Sequence, residues 1–253
     1  MIEPVTLQGR FVVLRPLSRG DVPALRTLAA GPRGTFEWAM VPAPERAEHY
    51  VDNALAQMER GAALVFAICL PSGELVGSTR LFDLQRWEWP EGRDPRPGED
   101  VLDAAEIGYT WLAERVQRSA VNTEAKLLLL RHAFETWRCF RVTLKTDERN
   151  TRSRRAIERL GAHFDGILRA FQPAVDGKPR NTAYYTILAS EWPSVEAALR
   201  KRAPSRVYPR TPSNTHPILP RNRRRRVTWS RSSRLSSTSH ARRSPPRSRL
   251  ASG

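Results

Sequence analysis

The chain has 253 residues, two cysteines and a formal net charge of +16, and 40% of its residues are hydrophobic. This length allows a sizeable core in one large domain or two small ones. No run of about 18 apolar residues occurs, and the first residues, MIEPVTLQGR, lack the basic-then-apolar pattern of a signal peptide, so we expect a cytoplasmic protein without a membrane-spanning helix.

The positive charge is concentrated at the C-terminal end. Residues 203–253 hold 13 arginines and no lysine or acidic residue, and subtracting 13 from +16 leaves +3 for residues 1–202. Arg, Ser and Pro dominate this segment, and its few large apolar residues cannot offset the entropy of ordering, so we predict a disordered tail. Three explanations stay open: non-specific contact with RNA phosphates through Arg221 and residues 223–226, a dispensable extension, or out-of-frame or read-through coding sequence.

The periodicity of apolar residues predicts alternating strands and helices before the tail. In chain order these are a strand (9–17), two helices (22–30 and 44–60), three strands (62–70, 74–84 and 106–112), a helix entered at residue 123, a strand (141–146), a helix (151–159), two strands (162–171 and 180–188) and a helix (191–202). Asp21 is a candidate N-cap of the first helix. Mixed strands with interspersed helices indicate one α/β domain.

A long connection, residues 85–103, interrupts this pattern. It is rich in proline and charge, and connections of this length inside a domain are usually functional or disordered. Trp87 and Trp89 make it either a substrate-side wall or lid, or a loop that its aromatic side chains pin to the surface.

Residues 106–162 are the most informative stretch. The loop at residues 117–122 runs into a series of strong helix formers, whose first turn has free backbone N–H groups and is a natural seat for phosphate. Together with Asn150-x-x-Ser153 and Leu160-Gly161-Ala162, this stretch resembles the acetyl-CoA-binding core of the GNAT N-acetyltransferase superfamily. More narrowly, it resembles the branch that includes the ribosomal-protein N-terminal (alanine/serine) acetyltransferases, as does the opening segment GRFVVLRPLSRGDVPALRTLA.

The resemblance implies a GNAT-type domain over residues 5–202, with a mixed, mostly antiparallel central sheet flanked by helices and a splayed central strand pair. It also implies acetyl-CoA as co-substrate and transfer of acetyl to a primary amine, on a protein N-terminus or a small molecule, by direct attack in a ternary complex. The alternative is a non-catalytic RNA- or ribosome-associated protein that keeps the fold and makes contact through its arginine-rich tail.

The resemblance places the phosphate contacts in the window from Gln117 to Asn122. Gln117 fits the family pattern, but Ala120 and Asn122 replace both glycines; alanine is small, and asparagine tolerates positive φ better than most residues. A capped core helix would leave a similar pattern. The candidate cofactor-binding residues are Tyr109, Trp111, Leu112, Gln117, Arg118, Ser119, Ala120, Val121, Asn122, Thr123, Asn150, Ser153 and Arg154.

For catalysis, the resemblance makes Glu106 the first choice as general base, because the family often has an acidic residue at this place; an exposed, ion-pairing glutamate is the alternative. Gly108 fits a bulge or a close approach, and a backbone N–H near residues 109–112 is the candidate oxyanion donor. Ile157 stands where many members have the tyrosine that protonates the thiolate. Some members of the ribosomal-protein branch use a serine instead, and the resemblance makes Ser153 the matching candidate acid. Alternatively, Asn150 is simply an N-cap with Ser153 in the first helical turn.

Three further residues are expected to be structural. Cys69 and Cys139 lie in apolar stretches without ligand spacing, which predicts buried thiols, and His132 lies on the leucine-rich face of its helix, which predicts a packed core histidine. No metal site follows from the sequence. Glu124 is a weaker candidate base, since the dipole of its helix already explains its charge.

Overall fold

A computed structural model describes residues 2–92 and 101–202 of the chain. The strands are β1 (Leu7–Gln8), β2 (Val13–Pro16), β3 (Ala63–Cys69), β4 (Leu75–Gln85), β5 (Ala104–Leu112), β6 (Arg141–Asp147), β7 (His163–Pro173) and β8 (Pro179–Leu188). The α-helices are α1 (Val22–Ala29), α2 (Ala47–Glu59), α3 (Ala120–Arg131), α4 (Thr151–Leu160) and α5 (Trp192–Arg202).

The strands form one sheet in the order β1-β2-β3-β4-β5-β6-β8-β7. Neighbouring strands are antiparallel except β5 and β6, which are parallel. These two pair only where Ala104 to Glu106 lie beside Arg141 to Thr143, and they separate beyond that point. The predicted fold, a mixed and mostly antiparallel sheet with a splayed central pair, is confirmed.

Helices cover both faces of the sheet, because successive side chains of a strand point to opposite faces. On one face, Ile107, Leu144 and Tyr185 pack in a core cluster with side chains of α3, α4 and α5. On the other face, Val65 and Trp111 pack in a second cluster with side chains of α1 and α2. The separation of β5 from β6 therefore opens a gap between two helix-covered faces.

One helix start and one helix cap differ from the predictions. Helix α3 begins at Ala120 rather than Thr123, because Ser119 caps it: the Ser119 Oγ accepts a hydrogen bond from the Val121 N–H at 3.3 Å. Asp21 precedes α1 but makes no side-chain cap for it. Its carboxylate instead accepts hydrogen bonds from the guanidinium of Arg15, at 2.5 and 2.9 Å, and from the Ser18 N–H.

The described part of the connection between β4 and β5 is held against the start of β6. The rings of Trp87 and Trp89 lie 5.8 and 5.5 Å from the ring of Phe140, and both residues donate hydrogen bonds to the carboxylate of Asp103. These contacts favour the pinned loop over the substrate-side wall. Residues 93–100 of this connection lie outside the described residues, as does the predicted disordered tail, residues 203–253.

The structural residues lie where the sequence predicts them. Cys69 and Cys139 are buried free thiols, and His132 is buried with its ring 4.7 Å from that of Trp137. In the described ranges, no group of three or more His, Cys, Asp or Glu side chains is placed to hold a metal ion. No helix in these ranges combines the length and hydropathy needed to cross a membrane.

Candidate active site

A cleft of about 370 Å³ lies where β5 and β6 separate. Its walls come from both strands, from the loop before α3, from the start of α4 and from residues between α1 and α2. Glu106, Lys145 and Arg180 line it together with the N-terminal turns of α3 and α4. A buried carboxylate and two helix starts therefore face one solvent-accessible space.

A bulge in β5 shapes one wall of the cleft. Ser78 of β4 pairs with Trp111 and Arg80 pairs with Gly108, so two residues of β5, Tyr109 and Thr110, stand opposite one residue of β4. Tyr109 has φ +49°. A Cβ on Gly108 would lie 2.8 Å from the Phe82 ring. The predicted bulge and close approach are both present, and the bulge turns the backbone of this segment out of the regular ladder.

The loop before α3 is fixed by side-chain hydrogen bonds. The Gln117 Nε2 donates to the Leu112 carbonyl at 2.9 Å, and the Gln117 Oε1 accepts from Arg152 at 3.2 Å. Arg118 takes φ +60°, so the left-handed residue of the loop is this arginine. Ala120 and Asn122 lie in the first turn of α3. Ala120 and Asn122, which stand where the family pattern has glycine, therefore do not need a positive φ. Both take helical geometry, so the N–H groups of the first turn of α3 point out of the helix start.

The start of α4 forms another part of the wall. The Asn150 Oδ1 accepts a hydrogen bond from the Ser153 N–H at 3.0 Å, so Asn150 is the N-cap that the sequence allowed. Asn150, Ser153 and Ile157 all line the cleft. The side chain of Arg154 points elsewhere, since its Nε donates to the Tyr185 hydroxyl at 2.8 Å.

Most of the candidate cofactor-binding residues lie together in the cleft. Those that line it are Tyr109, Trp111, Leu112, Gln117, Arg118, Ser119, Asn122, Thr123, Asn150 and Ser153. Three do not: Ala120 and Val121 belong to the first turn of α3, and Arg154 is bound to Tyr185. Arg152, two residues before Arg154 in the first turn of α4, lines the cleft in its place.

Glu106 is buried rather than exposed. Its side chain is 3% accessible, and its Oε2 lies 2.7 Å from the Lys145 Nζ. Burial raises the pKa of Glu106 to about 7, against the opposing effect of Lys145. Glu106 therefore forms an ion pair, as the alternative to a catalytic role requires, but it is buried and not exposed. With its pKa near 7, the carboxyl group can gain or lose a proton near neutral pH.

Besides Arg159, three cations of the cleft were not singled out from the sequence. Lys145 lies near the rings of Phe82, Phe171 and Tyr184, at 5.1 to 5.8 Å from their centroids. Lys126 is 7% exposed, and burial lowers its pKa to about 7. Arg180, on β8, is the third. Only Lys126 left a sequence signal, because it follows Asn122 by four residues and thus shares its helix face.

Glu124 has a role different from the predicted helix-dipole effect. Its carboxylate accepts hydrogen bonds from the backbone N–H groups of Arg10, Phe11 and Val12, at 2.9, 2.5 and 2.8 Å. Glu124 therefore ties the chain before β2 to the first turns of α3. It is absent from the cleft lining among the described residues.

The sequence also matches known proteins. The family model of the acetyltransferase (GNAT) domain matches residues 12–163. The protein named ribosomal N-acetyltransferase YdaF, from Bacillus subtilis, is 34% identical over 94 residues, which are 37% of this chain and half the length of YdaF. The protein named N-acetyltransferase YjcK, also from B. subtilis, is 26% identical over 174 residues, which are 64% of this chain and 86% of YjcK.

Solved structures share the fold. A GCN5-related N-acetyltransferase from Brucella melitensis has a TM-score of 0.67 at 26% identity, covering 81% of this chain and 87% of that one. Mycobacterium smegmatis RimJ, in complex with a CoA-disulfide, has a TM-score of 0.65 at 23% identity, covering 78% of this chain and 94% of that one, and supports the fold alone. The chain therefore belongs to the GNAT family, whose members are acyltransferases that use acetyl-CoA as the acetyl donor.

Proposed function

We propose that this chain transfers acetyl from acetyl-CoA to a primary amine by direct attack in a ternary complex, and that the amine is a protein N-terminus. The observation that carries the proposal is the position of Glu106, a buried carboxyl group with a pKa of about 7, in the cleft that also contains the start of α3. The name of YdaF, a ribosomal N-acetyltransferase, supports a ribosomal acceptor, and the branch that the sequence resembles favours an N-terminal amine of a protein.

The residues of the cleft fit an acyl-CoA. At the start of α3, the backbone N–H groups of Ala120 and Asn122 are offered to the pyrophosphate, and Arg118 and Arg152 add positive charge beside it. The backbone of residues 109–112, whose edge towards β6 has no strand partner beyond Glu106 among the described residues, is available to the pantetheine arm and to the thioester carbonyl. Acetyl-CoA supplies the activated acetyl group when it is bound there.

Glu106 acts as the base in this proposal. An amine of a protein N-terminus is largely protonated at neutral pH, so it must lose a proton before it can attack a thioester carbonyl. A carboxylate accepts that proton directly or through one water molecule, and it does so most effectively when its pKa is close to the working pH. Lys145 holds the carboxylate in place through the 2.7 Å contact.

Ser153 acts as the acid. Ile157 lines the cleft and cannot donate a proton, so the thiolate that leaves must be protonated by another group. Ser153 lies one helical turn earlier on α4 and also lines the cleft. Because its backbone N–H, rather than its hydroxyl, makes the bond to Asn150, capping the helix does not require the hydroxyl.

The proposed function is tested by mixing the protein with acetyl-CoA and a panel of amines and following free thiol. The panel includes peptides with free N-termini, the same peptides with blocked N-termini, lysine side-chain analogues and small amines. We expect CoA-dependent thermal stabilisation, and thiol release only with free N-termini. The absence of both signals would overturn the proposal. Thiol release with small amines alone would show that the acceptor is a small amine and not a protein N-terminus.

Contact with RNA through the tail remains a separate prediction. It depends on Arg221 and residues 223–226, which lie outside the described residues, and on the charge of the tail. Binding of this kind weakens steeply with salt. A salt titration of RNA binding, with the full chain and with residues 203–253 removed, tests it; unchanged binding after truncation would contradict it.

A further inference from the structure

Arg180 is a buried cation in the wall of the cleft that the proposed proton transfers do not use. The residue is 9% exposed, and its Nε donates a hydrogen bond to the Thr182 Oγ1 at 2.9 Å. Among residues 2–92 and 101–202, no carboxylate forms an ion pair with it. Burial lowers the pKa of Arg180. A buried guanidinium that lacks a carboxylate is costly to keep, and an anion from outside would offset that cost.

The charges around Arg180 leave room for one more negative group. Glu106 is the carboxylate that lines this side of the cleft, and Lys145 already pairs with it at 2.7 Å. Asp147 also favours the charged form of Arg180, but both of its oxygens accept hydrogen bonds from Arg149, at 2.9 and 2.7 Å. The nearby acidic side chains are therefore taken by other cations, whereas the guanidinium of Arg180 has a neutral hydroxyl as its hydrogen-bond partner.

The strand register shows on which face of the sheet Arg180 lies. Glu106 pairs with Thr143, and Lys145 pairs with Tyr184, two positions further along β6. Since paired residues share a face and so do alternate residues of a strand, Arg180 is on the face of Glu106 and Lys145. Its hydrogen bond to Thr182 agrees with this assignment.

The phosphate seat at the start of α3 is on the opposite face. Leu144 and Tyr185, the sequence neighbours of Lys145 and Tyr184, point the other way and pack in the core cluster that contains Val121 and Ala125 of α3. A phosphate held at the start of α3 thus enters the cleft from the face opposite to that of Arg180. The anion that Arg180 can meet, next to the Glu106 carboxyl group, belongs to the acceptor.

We propose that Arg180 binds a carboxylate of the acceptor, so that the preferred acceptors carry a carboxylate close to the amine that is acetylated. The proposal rests on the proposed function, because it assigns the acceptor to the Glu106 side of the cleft. Two sources supply this chemistry: the acidic side chain of a first or second residue in a polypeptide, and the α-carboxylate of a free amino acid. Guanidinium and carboxylate form paired, charge-assisted hydrogen bonds, which give both affinity and orientation.

The first test uses the unaltered full chain. C-terminally amidated tripeptides with Glu at position one or two are compared with the matching Gln peptides, and glycine is compared with glycinamide. We expect kcat/KM to favour the carboxylate member of at least one pair by about 10-fold or more, as for hydrogen bonds to charged groups. A preference within the tripeptides assigns an acidic N-terminal sequence, and a preference for glycine assigns a free amino acid. Equal values in every pair would overturn the proposal.

Equilibrium binding keeps this test separate from that of the proposed function. The same pairs are titrated into the protein saturated with CoA, which requires no turnover. A preference for the carboxylate in binding, without thiol release, would support the Arg180 site while the proposed function fails. Thiol release with no preference in either measurement would leave the function standing and overturn the site.

Variants then assign the preference to Arg180. We expect Arg180→Gln to abolish the discrimination between Glu and Gln acceptors, and Arg180→Lys to retain part of it if the charge alone contributes. Arg169→Gln removes one charge from the exposed side of the same β7–β8 hairpin and should leave the preference unchanged. A large loss of CoA affinity in Arg180→Gln, with the acceptor preference intact, would overturn the proposal and assign Arg180 to the cofactor.

Discussion

The Lys126 Nζ donates a hydrogen bond to the Thr110 Oγ1 at 2.6 Å, and thereby joins α3 to the bulge of β5. The same Thr110 oxygen lies 2.7 Å from the Thr79 Oγ1. No carboxylate of the described ranges pairs with Lys126. The amine therefore has a neutral partner in a nearly inaccessible place, which is an environment that disfavours its charged form.

Replacing Lys126 with methionine should make the free energy of unfolding less dependent on pH. Lysine in the unfolded chain binds its proton up to a pKa of about 10.4, whereas burial lowers the pKa of Lys126 in the fold to about 7. Between these values the unfolded state binds more protons, so the stability of the unaltered protein rises with pH, and the destabilising effect of Lys126 is complete below pH 7.

The expected result is that Lys126→Met stabilises the protein most below pH 7, and that this gain falls by about 1.4 kcal/mol per pH unit above it. Urea unfolding at several pH values from about 6 to about 9.5 measures the gain. Lys201→Met, on the exposed end of α5, controls for the loss of a lysine and should retain the pH dependence of the unaltered protein. A gain that does not vary with pH would contradict the prediction.

Replacing Glu106 with glutamine should remove the acidic limb of the pH–rate profile. The pKa of Glu106 is raised to about 7, so the unprotonated base becomes available as pH rises through that value. We therefore expect kcat of the unaltered protein to increase through about pH 7, and kcat of Glu106→Gln to be lower by about 100-fold or more without that increase. CoA affinity should be unchanged, and the exposed Glu114→Gln should behave as the unaltered protein does. An unchanged profile would exclude Glu106 as the base.

Replacing Ser153 with alanine should lower kcat while leaving CoA affinity and the helix intact. The substitution removes the hydroxyl but keeps the backbone N–H that Asn150 accepts, so the cap of α4 remains. If the hydroxyl protonates the thiolate, we expect a loss in kcat of about 100-fold, at the lower end of the range for acid catalysis. Single-turnover thiol release, compared with the equilibrium affinity for CoA, separates the two effects. A variant with full activity would rule out Ser153 as the acid.

Gly9 and Glu124 should be coupled in stability. A Cβ on Gly9 would lie 2.5 Å from the Glu124 carboxylate, which must then move away from the three N–H groups it binds. Glu124→Ala leaves those N–H groups without their acceptor. We expect a loss of about 2–6 kcal/mol, since the two buried donors, the N–H groups of Phe11 and Val12, each cost about 1–3 kcal/mol when unsatisfied.

The coupling itself is measured with a double-mutant cycle in a denaturant. Gly9→Ala should destabilise the unaltered protein but cost much less in the Glu124→Ala background, because the clash and the hydrogen bonds involve the same carboxylate. Gly34→Ala provides the control substitution, because a Cβ added at Gly34 would meet no heavy atom within 4 Å among the described residues. Additive losses would show that Gly9 and Glu124 act independently.

Local patterns predicted the strands and helices of the fold except the two-residue β1 (Leu7–Gln8), which lies before the predicted first strand. Apolar periodicity located the strands and helices, and the approach of Gly108 to Phe82 follows from a glycine placed inside an apolar strand. The start of α3 was placed three residues late because Ser119, a good N-cap, stands before two residues, Ala120 and Val121, that gave no helix-start signal of their own.

The cationic residues of the site could not be predicted from local sequence patterns. Lys145 and Arg180 come from strands 35 positions apart in sequence, and only the pairing of β6 with β8 brings them to one face. The choice between Arg152 and Arg154 depends on which side of α4 meets Tyr185. Such features are decided by register and by tertiary packing, which no window of a single sequence contains.

The bulge at Tyr109 and Thr110 has a consequence for how β5 is used. In a regular strand Glu106, Gly108 and Thr110 would share one face, but the extra residue reverses the alternation. Glu106 consequently pairs with Phe82 and meets Lys145 on one face, whereas Thr110 meets Lys126 of α3 on the other. One inserted residue thus makes a single strand two-sided: in the proposed mechanism, the proton is exchanged on one face of β5 and the acyl carrier is held on the other. Deleting one of the two bulge residues, Tyr109 and Thr110, would restore the regular alternation of β5. The side chains that follow the deletion in β5 would then point to the face opposite to their present one.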